Sequence, residues 1–160
     1  MILKTHVLRE IDKNFSQLSA QYALVLAQMD QIDWKAGAHL AKRIRTGDFS
    51  PTDVVFILTD DVQLVGFVAL TKTDIARAPN NYGPFLSTMY VNPEFRKQGF
   101  SKQLIELVLT EARAQKIPKL YIMTQHIGLY ERYGFIQIDE IPDIHNRQMR
   151  VLQKILTAEN

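Results

Sequence analysis

The sequence contains no cysteine. That removes disulfide frameworks, cysteine nucleophiles and thiolate zinc sites, and it fits a reducing compartment. The common catalytic signatures are missing too: there is no G-x-S-x-G elbow, no H-E-x-x-H helix and no P-loop ending in G-K-[ST]. The four histidines, His6, His39, His126 and His145, stand far apart, so no metal site is expected. Apolar runs are short. The longest, Tyr22 to Ala27 and Val65 to Leu70, fall well below the ~18 residues of a membrane helix, so no membrane partner is expected. The opening Met1-Ile2-Leu3-Lys4-Thr5-His6 has no apolar stretch leading to a small-residue cleavage site. No secretory signal is read, and a cytoplasmic location is expected. Excess charge is slight: 19 basic against 17 acidic residues leave +2. With no basic stripe, nucleic acid is not an expected partner.

What is present is an ordinary globular composition. Of 160 residues, 46% are apolar and 22% charged, which suits one domain over 1–160 with a core large enough to need no staple. Residues 2–8 are read as a short first strand. Phe15, Leu18, Tyr22, Leu26 and Met29 step by three or four, one face of a helix. A second helix is expected from Trp34 to Arg45, with Trp34, Ala38, Ala41 and Ile44 on one side, stopping at Gly47. The period then changes. Residues 54–70 hold two β-branched and aromatic runs around Asp60-Asp61 and read as a hairpin, the paired aspartates as a solvated turn. A loop over 78–84 leads to a strand from Phe85 to Val91, ended by Pro93.

After Gly99 a strong helix is predicted, with Leu104, Ile105, Val108, Leu109 and Ala112 as its apolar stripe and its end before Pro118. A strand over 120–123, a turn or two of helix over 128–133, and closing strands over 135–138 and 148–152 complete the chain. This order makes a mixed α/β fold with a central sheet.

Two stretches carry chemistry. Val91 to Ser101 joins a strand to a helix. A helix start offers unpaired N–H groups and partial positive charge, which suit phosphate oxygens. Gly99 lets the backbone approach an anion, and Arg96, Lys97 and Lys102 add positive side chains against Glu94 alone. The alternative is an ordinary strand–helix turn with solvated charges. The second stretch, Thr124 to Phe135, follows the next strand. Tyr130 within it is by itself more often a packed aromatic than a catalytic one.

Taken together, the two stretches resemble the GNAT superfamily of acyl-CoA-dependent N-acetyltransferases. Arg96-Lys97-Gln98-Gly99-Phe100-Ser101 is similar to its [RQ]-x-x-G-x-[GA] loop, with Ser101 where Gly or Ala is usual. Serine is small and a good helix N-cap, so the cradle stays intact and gains a hydroxyl. Leu129-Tyr130 followed by Gly134-Phe135 is similar to its L-Y-x-x-x-G-F motif. Residues 84–135 carry the resemblance most specifically and look closest to a bacterial subgroup of these enzymes. The resemblance implies a mainly antiparallel central sheet flanked by helices. It also implies direct attack of a primary amine on acetyl-CoA in a ternary complex, with acetyl-CoA as co-substrate and no metal.

By the same resemblance, loop residues Arg96, Lys97, Gln98, Gly99, Phe100, Ser101 and Lys102 hold the pyrophosphate. Backbone groups near Met89, Tyr90 and Val91 run along the pantetheine between two splayed strands. Tyr130 is the proton donor to the leaving thiolate; a phenol near pKa ~10 and a thiol near ~8.5 are close enough for useful transfer. His126, Glu131 or a water chain are the choices for a general base. The acceptor, a small-molecule or peptide amine, is not legible, though Trp34, Tyr82 and Phe85 are candidates either for its pocket or for the core. The oligomeric state is open, a homodimer included. Two classes of function remain: a working N-acetyltransferase and a non-catalytic acyl-CoA-binding sensor or regulatory module. Tyr130 with a complete loop favours the first.

Overall fold

The structure is a computed structural model that describes residues 1–9, 20–74 and 82–156. Its strands are β1 (Leu3–Arg9), β2 (Val54–Asp60), β3 (Gln63–Thr71), β4 (Phe85–Val91), β5 (Lys119–Thr124), β6 (Ile136–Pro142) and β7 (Gln148–Ile155); its helices are α1 (Ala23–Asp30), α2 (Lys35–Thr46) and α3 (Phe100–Ala114). All seven strands form one sheet in the order β1-β2-β3-β4-β5-β7-β6. Every pairing is antiparallel except β4 with β5. The mixed, mainly antiparallel sheet expected from the sequence is therefore present.

The middle strands are buried on both faces, which is why 54–58 reads as a continuous apolar run rather than an alternation. Val54, Phe56 and Leu58 point toward α3, whereas Val55 and Ile57 point toward α1 and α2. On α3 the expected stripe of Leu104, Ile105, Val108, Leu109 and Ala112 is wholly buried against the sheet. Each large apolar side chain so placed contributes ~1.5–3 kcal/mol. The helix ends where Lys116 takes a left-handed conformation and the Ile117 N–H returns to the Ala112 carbonyl at 3.0 Å, one residue ahead of Pro118.

Several elements differ in detail from the sequence reading. Helix α2 starts at Lys35, and Trp34 precedes it in extended conformation, 41% exposed. Its buried stripe is Gly37, Leu40, Ala41 and Ile44. Leu40, not Ala38, fills the face against the sheet, because the larger side chain excludes more water. Phe15 and Leu18 of the first expected helix, and residues 78–81 of the expected loop, lie outside the described residues. Strands β6 and β7 run longer than expected, since their mutual ladder carries polar residues such as Glu140 and Arg150 that give no apolar signal.

Two bulges shape the centre of the sheet. Between β2 and β3 the register slips at Leu58/Thr59, and the core-facing parity of β3 switches around Gly66. A Cβ on Gly66 would lie 2.5 Å from the Tyr90 carbonyl oxygen, so only glycine lets β3 and β4 approach this closely. On β4, Thr88 and Met89 together face the single residue Val68, and Thr88 has φ +55°. The bulge flips the strand's faces: Leu86 before it and Met89 and Val91 after it share one core. A β-branched residue with positive φ is a strained placement of the kind found near functional sites.

Candidate active site

Strands β4 and β5 pair only at Phe85 and Tyr121, beside the Tyr121 N–H to Pro84 carbonyl bond of 3.0 Å. Beyond that point they diverge. A cleft of about 890 Å³ opens between Leu86–Val91 on one side and Ile122–Thr124 on the other. Along it the β4 edge facing β5 has no partner strand among the described residues, so its backbone groups are left to a ligand. The far end of β4 is pinned by Asn92, whose Nδ2 donates to the Leu64 carbonyl at 2.8 Å and whose Oδ1 accepts from the Glu94 N–H at 3.1 Å.

The cleft runs into the start of α3. Lys97 and Gly99 both have positive φ, +63° and +85°. Left-handed residues interleaved in a loop in this way form a nest of backbone N–H groups, a geometry suited to an anion. The Gln103 N–H reaches the Gly99 carbonyl at 3.1 Å, and the amides of residues 97–102 have no acceptor among the described residues. A Cβ on Gly99 would meet nothing within 4 Å; glycine is there for its backbone conformation, not for lack of room. Arg96 Nε donates to the Val91 carbonyl at 3.0 Å, which ties the loop to the end of β4.

Of the residues expected at the site, Met89, Tyr90, Val91, Arg96, Lys97, Gly99, Phe100, Ser101 and Tyr130 all border the cleft. Gln98 and Lys102 do not, and both are exposed. Phe100 reaches the cleft from a buried position edge-on to Phe95. Trp34 lines the cleft and stacks on Tyr90, which stacks in turn on Phe67. Tyr82 and Phe85 are elsewhere, in a small cluster with Tyr121 on the sheet. The Tyr82 hydroxyl donates to Asp139 Oδ2 at 2.6 Å, so these two aromatics are packing residues.

Tyr130 is 6% exposed, its ring edge-on to Phe135 at 6.2 Å. Burial pushes its phenol up to about 12, and the negative charge of Asp74 adds to the effect. The phenol is thus a proton carrier across the whole neutral range and a weaker acid than free tyrosine. Of the two side chains weighed as base, His126 is exposed and borders the cleft. Glu131 does not border it. Its Oε2 receives Arg150 Nη2 at 2.5 Å and its Oε1 receives the Gly128 N–H at 3.0 Å. The Arg150 hydrogen bond holds the Glu131 carboxyl below its ordinary range, which makes it a poor proton acceptor.

Four residues in or beside the cleft carry no sequence signal of their own. Thr88 supplies the bulge, Arg150 braces the loop that bears Tyr130, and Asp74 and Arg147 border cavities that adjoin the cleft. Thr88, Arg150 and Asp74 act on residues far away in the chain, and Arg147 is held by Asp143 four residues before it in a turn that no motif marks. Among the described residues no three His, Asp or Glu side chains cluster as a metal site, and no helix is long and apolar enough to cross a membrane.

A strand pair that parts beside a helix start with a glycine nest is the architecture of an acyltransferase domain. Residues 51–137 match the model of the acetyltransferase (GNAT) domain, and the chain belongs to that family. Over 89 residues it is 30% identical to the peptidyl-lysine N-acetyltransferase YjaB of Salmonella typhimurium, covering 55% of this chain and 54% of that protein. The chain thus matches about half the length of this relative. Its fold is similar to that of an aminoglycoside 6'-N-acetyltransferase complexed with coenzyme A, with TM-score 0.67, 16% identity, and 100% of this chain and 99% of the other covered. It is also similar to Ard1 from Thermoplasma volcanium, with TM-score 0.62, 16% identity, and coverage of 99% and 100%.

Proposed function

We propose that residues 1–160 form one acetyltransferase domain that moves an acetyl group from acetyl-CoA to a primary amine by direct attack in a ternary complex. The observation that carries this reading is the continuity of the parted β4/β5 edge with the nest at residues 96–101. The residues fit the co-substrate. The amides of residues 97–102, which have no acceptor among the described residues, two left-handed residues and the side chains of Arg96 and Lys97 suit a pyrophosphate. The open edge at Met89, Tyr90 and Val91 suits the amides of an extended pantetheine arm, as an added strand would. Bound acetyl-CoA supplies an activated thioester carbonyl.

The chain's own groups do the rest. The amine's lone pair forms the new C–N bond while the C–S bond breaks and its electron pair leaves on sulfur. Backbone N–H groups of the unpaired β4 edge stabilise the charge that gathers on the carbonyl oxygen. Tyr130 donates its hydroxyl proton to the departing sulfur. With the buried phenol at about 12, full transfer to a thiol of ordinary acidity, ~8.5, is uphill. In the same water-poor pocket the sulfur also becomes more basic, which brings the pair together. The amine's own proton leaves through His126 or a water bordering the cleft.

The test is release of free thiol from acetyl-CoA in the presence of a panel of primary amines. Amine-dependent release is expected. CoA binding with no turnover of any amine would instead support the sensor or regulatory reading.

A further inference from the structure

Beside the main cleft lies a second cavity of about 430 Å³, within the range of small-molecule sites. Thr88, Trp34, Met123, Arg147 and Met149 border both, so the second cavity opens beside the place where an acetyl group would sit. Its walls combine two carboxylates, Asp74 and Asp143, with Lys35, His145, the guanidinium of Arg147 and apolar surface.

The guanidinium is Arg147. It stands in the turn between β6 and β7, where Asp143 is buried and works as a clamp. Asp143 Oδ1 accepts from the backbone N–H groups of His145 at 2.8 Å and Arg147 at 2.9 Å, and Oδ2 accepts from Arg147 Nε at 2.7 Å. The clamp uses only Nε. Both terminal nitrogens of Arg147 lack a hydrogen bond among the described residues, and the group is already held in place. A fixed planar fork with its two outer donors available is suited to bidentate pairing with a carboxylate. Lys35 borders the same cavity and favours the same charge. The second carboxylate is Asp74, on the same cavity wall. Its negative charge is felt at the Tyr130 phenol, so it stands toward the reacting end.

We propose, resting on the acetyltransferase reading, that the acceptor is a small α-amino acid with an apolar side chain. Arg147 pairs with its carboxylate, Asp74 draws its amino group toward the thioester, and Trp34, Met123 and Met149 receive its side chain. The ammonium arrives beside Asp74 and gives a proton to His126 or a water at the cleft; the neutral amine then forms the C–N bond as the C–S bond breaks, while the carboxylate remains on Arg147.

The test compares matched acceptors with the full-length chain and acetyl-CoA, by thiol release. L-phenylalanine, L-methionine and L-leucine are each set against the amine that lacks only the carboxylate, and against a lysine peptide with a blocked N-terminus. The expected result is a kcat/KM at least tenfold higher for one or more amino acids than for the matched amine. Arg147→Gln should bring that ratio close to one, and Arg147→Lys, which keeps the charge without the fork, should restore part of it. Asp74→Asn should raise KM for every acceptor with CoA binding intact, a readout that stands if the Arg147 variants fold poorly. Equal rates within the pairs, refusal of all three amino acids, or turnover of the lysine peptide alone would overturn the proposal. CoA binding, read by thermal shift on the same samples, separates the two levels. If CoA binds and the amino acids are refused, this assignment fails alone; if CoA does not bind, the acetyltransferase reading fails with it.

Discussion

Arg150 on β7 reaches across to Glu131, its Nη2 donating to Glu131 Oε2 at 2.5 Å while Nη1 donates to the His126 carbonyl. One guanidinium thus ties down both ends of the loop that presents Tyr130. A third bond, from Nε to Gln137 Oε1 at 2.9 Å, fixes the guanidinium itself. Glu131 is a brace, and its charge at neutral pH serves Arg150.

That relationship predicts opposite outcomes for two variants. Arg150→Met should lower the acetylation rate at least tenfold with little change in CoA affinity, because the loop loses its tie and Tyr130 its position. Glu131→Gln keeps an acceptor for Arg150 and should stay within a fewfold of the parent. A collapse of rate in Glu131→Gln, with CoA binding retained, would make Glu131 the general base. The pair also has a pH signature. Glu131 is held below its ordinary range, chiefly by the Arg150 hydrogen bond. Its contribution to stability is present above the unfolded-state value and is lost as pH falls through the folded one.

Gly99 is the most sensitive point of the nest. Gly99→Glu places a carboxylate where the loop amides converge and forces a left-handed conformation on a residue that resists it. For the parent, CoA at ~100 times its dissociation constant should raise stability by about 2.7 kcal/mol. The variant should show almost none of that thermal shift. A variant that binds CoA as the parent does would remove the loop from phosphate binding.

Tyr130→Phe keeps the ring against Phe135 and removes only the hydroxyl. Loss of a general acid costs ~10²–10⁴-fold in rate, and CoA affinity should barely move because the phosphates are held elsewhere. An acyl donor with a more acidic leaving thiol should shrink the defect, since such a thiol departs with less help. A rate within about threefold of the parent, or an equal loss of CoA binding, would leave Tyr130 a packing or binding residue.

The same phenol leaves a mark on alkaline stability. Its folded value is about 12, raised by burial and then by Asp74, against ~10 in the unfolded chain. Between those values the unfolded chain loses its phenolic proton while the folded one keeps it. Stability therefore falls as pH rises from about 10 to about 12, by an amount on the order of 2 kcal/mol. Denaturant melts at pH 9 and pH 11 should show a shallower loss in Tyr130→Phe than in the parent. Equal losses would mean that the phenol titrates near its unfolded value.

The parts of this protein that were legible in sequence are those written within one turn or one strand. The stripe on α3, the loop from Arg96 to Ser101 and the Leu129–Tyr130 to Gly134–Phe135 spacing each depend on residues a few positions apart, so backbone periodicity and turn chemistry expose them. The general shape of the candidate site follows, because a strand–loop–helix unit places its own helix start beside its own strand. Tyr82, Phe85 and Trp34 were indistinguishable at that level: an aromatic residue carries the same apolar signal whether it faces the core or a cleft.

What the sequence by itself determined is therefore the family, the mixed sheet and the outline of a glycine loop at a helix start with a tyrosine nearby. Tertiary structure alone decided how the site is finished. The bulge at Thr88 switches the faces that Met89 to Val91 present, and β4 parts from β5 after one pairing. Arg150 reaches back to Glu131, and the charge of Asp74, distant in the chain, helps to raise the Tyr130 phenol. Trp34 stacks on Tyr90 while Tyr82 bonds to Asp139. These are contacts between residues distant in the chain, set by how strands register and where a sheet opens. Electrostatic reach and packing act through space, and no local pattern of residues records them.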